Sequence, residues 1–187
     1  MNKKECLIDK EFIESWSVKY DMKETKKFRD LYEQIMNKLK ESFPNGKVRH
    51  ITLDILRDIV KWKAPRVIKR ALKNSEEFVG EVTNHSLSSK NEQFKIEVLI
   101  LLKGVGYRVA TAILHFCFPS EYTVMDFRAW WTLQQYNCLP EDYPIKDDFE
   151  HWQKYLKVCR EISKRCDCSL RKLDKALWQH SKEKQNK

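Results

Sequence analysis

Leu101-Leu102-Lys103-Gly104-Val105-Gly106-Tyr107-Arg108 holds two of the chain's four glycines, two positions apart. Apolar stretches flank it: Leu99-Ile100-Leu101-Leu102 before, Val109-Ala110-Thr111-Ala112-Ile113-Leu114 after. Each reads as part of a helix. A glycine just past Lys103 permits the left-handed backbone with which a helix stops. A second helix starting near Tyr107 turns its first amide N–H groups and the positive end of its dipole outward. The corner is thus an anion site that senses charge and reads no base sequence. Val105 is expected to point inward and pin the turn, with Lys103 and Arg108 adding charge beside it. Such corners occur in any α domain. Here the paired use of a scarce residue asks for a close backbone approach, with a DNA phosphate as the fitting anion.

Working outward, helical periodicity dominates. Ile8, Phe12, Ile13 and Trp16 share one face of a helix over Ile8 to Tyr20, and Phe28, Leu31, Tyr32, Ile35, Met36 and Leu39 mark another from Lys23 to Phe43. The second stops at the turn signal Pro44-Asn45-Gly46. Thr52 caps a helix from Leu53 to Lys63, and Pro65 ends it. One or two short helices follow from Val67 to Val82, then a Ser- and Asn-rich loop from Asn84 to Asn91. Further helices are predicted over Glu92 to Leu102, Tyr107 to Phe116, Asp126 to Gln135, Asp147 to Lys164 and Ser169 to Ser181. Only Lys47 to Ile51 and Tyr122 to Met125 read as extended. The class is all-α, one domain over 1–187, with a charged, frayed tail over 182–187.

The chain has 187 residues, 42% hydrophobic and 34% charged, enough for a real core. Its 36 Lys and Arg against 27 Asp and Glu give +9, which favours a polyanionic partner: nucleic acid first, an anionic membrane surface second. No apolar run approaches the ~20 residues of a membrane span. Met1 to Lys10 is polar and carries no secretory pattern. The expectation is a cytoplasmic, nucleoid-associated monomer with all six cysteines reduced.

Leu102-Lys103-Gly104-Val105-Gly106-Tyr107-Arg108-Val109-Ala110, then Pro119, then Val124-Met125-Asp126 resembles the helix–hairpin–helix, Gly/Pro–Asp superfamily of DNA base-excision glycosylases. Endonuclease III and the oxoguanine glycosylases belong to it. The resemblance is strongest over 97–133. It implies two helical lobes with a cleft between them, and double-stranded DNA as the partner. It also implies a phosphate held by Gly104 and Gly106, with a monovalent cation on nearby carbonyls. Asp126 matches the superfamily's aspartate, which stabilises positive charge developing on the deoxyribose and orients the attacking water. Read from the residues alone, Asp126 is a helix N-cap, and the two roles are compatible. Members that also cleave the backbone carry a lysine where this chain has Arg108. A guanidinium cannot form the Schiff base, so the resemblance implies a monofunctional N-glycosylase without lyase activity at that position. A damaged or modified base would be everted and its N-glycosidic bond hydrolysed.

Cys159, Cys166 and Cys168 echo the first gap of endonuclease III's iron–sulfur motif, but the next gap differs and no fourth cysteine follows. An iron–sulfur cluster is not expected, nor a metal, and His50, His85, His115, His151 and His180 have no ligand spacing. The six tryptophans fall mostly on apolar faces. Adjacent Trp130 and Trp131 cannot both face one core, so one of them is a candidate for a base slot. Lys61, Lys63 and Arg66 around Trp62 form a second candidate strip for phosphate contact. Two other readings stay open: a non-catalytic helix–hairpin–helix DNA-binding protein whose Asp126 only caps, and an α-helical protein–protein adaptor.

Overall fold

A computed structural model describes residues 5–140, 142–144 and 147–185. Among them the regular structure is entirely helical. The chain divides into two compact units: a continuous one, Thr25–Phe118, and a discontinuous one built from both ends, Met1–Glu24 with Pro119–Lys187. The single-domain reading is refined accordingly.

The continuous unit contains α2 (Lys26–Ser42), α3 (Leu53–Lys63), a 3-10 turn (Pro65–Val67), α4 (Ile68–Ala71), α5 (Glu76–Ser88), α6 (Glu92–Leu99) and α7 (Tyr107–Cys117). Every residue of α7 from Val109 to Cys117 is buried, so α7 is the core helix of this unit and only its start reaches solvent. α3 packs on α2 and α7, and α6 on α5 and α7. Buried His115 is satisfied by the Tyr32 hydroxyl, 3.0 Å from its Nε2. Thr52 caps α3 by accepting from Ile55 N at 3.2 Å.

The loop expected over Asn84 to Asn91 is largely helix, because α5 runs to Ser88. The reason is burial. Thr83 Oγ1 donates to Val79 O at 2.7 Å and accepts from Ile51 N at 3.0 Å, while Ser86 Oγ donates to Lys95 O at 2.6 Å. These hydroxyls bond to main chain inside the core, where they no longer compete with the helix.

The discontinuous unit contains α1 (Lys10–Lys23), α8 (Phe127–Gln135), α9 (Phe149–Arg165) and α10 (Leu170–Lys184). α10 packs against the other three. It also runs past the predicted end: Lys182 to Lys184 are helical, Lys182 Nζ lies 4.8 Å above the Trp178 ring, and Glu183 pairs with Lys23 at 2.7 Å. Fraying there is corrected; residues 186–187 and the first four of the amino-terminal reading lie outside the described ones.

The cysteine expectation is also corrected. Cys6 and Cys138 form a disulfide across 132 positions, while Cys117, Cys159, Cys166 and Cys168 are free. Tertiary pairing causes this. Leu7 N donates to Tyr136 O at 2.9 Å, and Arg165 Nη2 donates to Ile8 O at 2.7 Å, laying the segment before α1 along the end of α8. A cross-link closing so long a loop restricts the unfolded chain. Cys6→Ser, or reduction of the wild type, is expected to lower Tm by about 5–15 °C, with four free thiols before reduction and six after. A melt with and without reductant, paired with thiol counting, checks it.

His180 makes a second prediction. It is 6% exposed among Phe12, Trp16, Trp131 and Tyr136. Burial, then Lys184 and Lys19, hold its pKa below 6.5, with Glu183 opposing. The unfolded chain therefore takes up a proton that the folded one refuses. Stability contributed by the neutral ring is present above pH 6.5 and falls as the pH drops from there towards the depressed folded value. Urea titrations at pH 7.5 and 5.0 should show a larger loss for wild type than for His180→Phe.

Candidate nucleic-acid interface

A glycine corner does join α6 to α7, but α6 ends at Leu99 with Ile100 as its C-cap, short of the Leu102 expected. Gly104 therefore lies in the turn beyond and does not stop the helix, and the two glycines do different work. Gly104 has φ +81°, and a Cβ there would stand 2.8 Å from Ala71 N and 3.2 Å from both Arg70 Cβ and Val67 O. Its close approach is to α4, inside the protein. Gly106 has φ −110°, is exposed, and has open space where a Cβ would be. It is the N-cap of α7 and supplies no side-chain cap, while its carbonyl receives Val109 N at 3.0 Å and Ala110 N at 2.9 Å. Val105 is 5% exposed and pins the turn inward. Of the two glycines, Gly106 is the one that faces solvent.

Lys103 is exposed, and its main chain is clamped by Asn74. Asn74 Nδ2 donates to Lys103 O at 3.0 Å, and Lys103 N donates to Asn74 Oδ1 at 2.9 Å. Tyr107 is half-buried, its hydroxyl donating to Glu97 at 3.2 Å. Arg108 is half-buried, and its carbonyl accepts from Thr111 Oγ1 at 2.9 Å.

The second strip is longer than expected. Lys61 and Arg66 are exposed and Lys63 is half-buried at the end of α3, while Trp62 between them is core, stacked on Phe28 at 5.3 Å. Beyond Arg66 the structure adds exposed Lys69, Arg70 and Lys73. The signal for them was readable: Ala64 to Ser75 contains no acidic residue.

Asp126 is the half-exposed N-cap of α8 and accepts from Arg128 N at 3.0 Å. The segment entering it is held by α9. Tyr155 donates its hydroxyl to Val124 O at 3.0 Å, and Arg160 Nε donates to Glu121 O at 2.8 Å. Tyr122 stacks on Trp152 at 6.2 Å. Burial, then the charges of Cys159, Asp174 and Asp126, push the Tyr155 phenol well above 10. It stays protonated at neutral pH and keeps its donor role. Sequence reasoning missed Tyr155 and Arg160, since nothing local links them to 121–126.

Of the base-slot pair, Trp130 is fully buried, stacked on Tyr155 at 5.9 Å and edge-on to Tyr143 at 5.5 Å. It offers no face to a base, which leaves Trp131 as the candidate of the pair. Trp131, one residue on and so turned ~100° around the helix, stays half-exposed and stacked on His180 at 5.9 Å. Cys159 and Cys166 are buried and Cys168 is half-buried. Among the described residues no three His, Cys, Asp or Glu side chains are grouped to hold a metal ion, and no helix is long and apolar enough to cross a membrane.

Compared with protein-family models, with curated proteins and with solved structures, the chain matches none of them.

Proposed function

We propose that the chain is a monofunctional DNA N-glycosylase of the helix–hairpin–helix, Gly/Pro–Asp kind. It grips duplex DNA at the Gly106 helix start and its basic surroundings, everts a damaged or modified base, and hydrolyses the N-glycosidic bond. Asp126 stabilises the sugar cation and orients the water. The observation that carries this reading is the exposed, glycine-capped start of α7 beside Lys103, with a half-exposed carboxylate opening the next helix. Arg108 in the hairpin supports hydrolysis by water over an amine-linked intermediate.

One observation favours a non-catalytic DNA-binding protein. Asp126 already has a structural task, because its carboxylate caps α8 through Arg128 N. A panel of duplex oligonucleotides carrying oxidised, alkylated, deaminated and hypermodified bases separates the two. Alkali-labile sites after incubation support excision. Salt-dependent binding without any labile site leaves the binding protein. No DNA affinity at moderate salt overturns both.

A further inference from the structure

Four cations, Arg66, Lys69, Arg70 and Lys73, lie on the exposed side of one near-helical run, at i, i+3, i+4 and i+7. None is in an ion pair with a described residue. Like charges at i, i+4 repel and weaken a helix, so local stability gives no reason for this ladder. A polyanion laid along the run does. The ladder is also attached to the glycine corner, with Asn74 as the joint. Asn74 is 6% exposed, and its amide donates both to Ala71 O at 2.8 Å, on the ladder side, and to Lys103 O at 3.0 Å, on the corner side. Its carbonyl receives Lys103 N at 2.9 Å. Gly104 closes the same joint by admitting Ala71 N and Val67 O where a side chain would stand. Lys103 Nζ completes it by reaching Lys73 O at 3.4 Å.

We infer that the corner and the α4 ladder form one surface for the backbone of duplex DNA, and that Asn74 is the positioning residue that sets their register. The inference rests on the DNA reading above and adds to it which residues carry the phosphate contacts. Every atom of the joint lies within the continuous unit.

The test uses the full chain and a fluorescent duplex of undamaged sequence, with affinity measured across a salt series. Each phosphate contact contributes about 0.9 to the slope of log K against log salt. Lys69→Ala with Lys73→Ala, both exposed, leaves the melt unchanged and is expected to lower the slope by about 1.8. Asn74→Ala is expected to lower it by about 1–2 with the ladder intact, because the ladder no longer aligns with the corner. Val79→Ala, a fully buried core change in α5, controls for stability alone. It should lower Tm and leave the slope of the folded protein unchanged. In the Asn74→Ala background, removing Lys73 should cost less than in wild type, the non-additivity that a shared register requires. An unchanged slope in the double lysine variant overturns the surface. Equal slopes for Asn74→Ala and Val79→Ala overturn the positioning role, and should Asn74→Ala fail to fold, full additivity of Lys73→Ala with Gly106→Leu overturns it instead. Wild type without DNA affinity fails earlier, at the DNA reading itself, so the two failures are distinct.

Discussion

Asp126→Asn is expected to bind a substrate duplex as tightly as wild type and to release base about 10²–10³-fold more slowly. The substitution separates the two tasks of this residue. As a cap, Asp126 accepts from the backbone, Arg128 N standing at 3.0 Å. Asparagine is as good an N-cap as aspartate, so the start of α8 and the melt should be preserved. On the proposed reading, Asp126 as a charge would face a sugar that becomes cationic as the glycosidic bond breaks, and an amide carries no compensating charge. Asp126→Ala gives the complementary result: the cap goes too, and stability falls by about 1 kcal/mol on top of the lost rate. Single-turnover excision together with a thermal melt for each variant reads both effects. Equal excision by Asp126→Asn and wild type would remove this carboxylate from the chemistry. A second readout follows from Tyr155, whose hydroxyl holds Val124 O at 3.0 Å. Tyr155→Phe should slow base release while leaving the DNA salt slope alone, since it loosens the approach to Asp126 and removes no cation.

Much of this architecture is legible in the chain itself. Thr52, Asp126 and Ser169 cap the helices their positions announce, because an N-cap is a local contract between a short polar side chain and an amide two or three residues on. The start of α7 after Gly106 was legible from its neighbours, whereas the seating of Gly104 on α4 was not. What could not be read depended on partners distant in sequence. Ser86 looks like a loop residue until Lys95 O is found beside it. Cys6 looks like a free thiol until Leu7 pairs with Tyr136 and carries it to Cys138. Trp130 and Trp131 look interchangeable in the chain, and only the packing of Trp130 against Tyr155 of α9 and Tyr143 decides which is core. Asn74 is the sharpest case. Nothing beside it in the chain signals that it joins segments 29 positions apart.

Gly104 and Gly106 look equivalent in sequence, and their variants are expected to fail in opposite ways. Gly104→Val must adopt φ +81°, a region a β-branched residue rarely enters, and must place its Cβ 2.8 Å from Ala71 N, a backbone atom that cannot swing aside. Strain and overpacking together should cost about 2–5 kcal/mol, enough to unfold much of the continuous unit near 37 °C. Gly106→Leu meets neither obstacle. Its φ of −110° suits any residue, and the space around it is open. Replacing a glycine N-cap by an apolar residue costs about 1 kcal/mol or less. The fold survives, while a bulky side chain now covers the helix start that a phosphate must approach. Gly106→Leu should therefore keep a cooperative melt and lose duplex affinity at every salt concentration and for every base sequence. Were it instead to bind DNA undiminished, the α7 terminus would be no phosphate site, and the ladder on α4 would have to carry the contact alone. Were Gly104→Val to melt like wild type, the corner could not be seated on α4 as described, and the register assigned to Asn74 would fall with it.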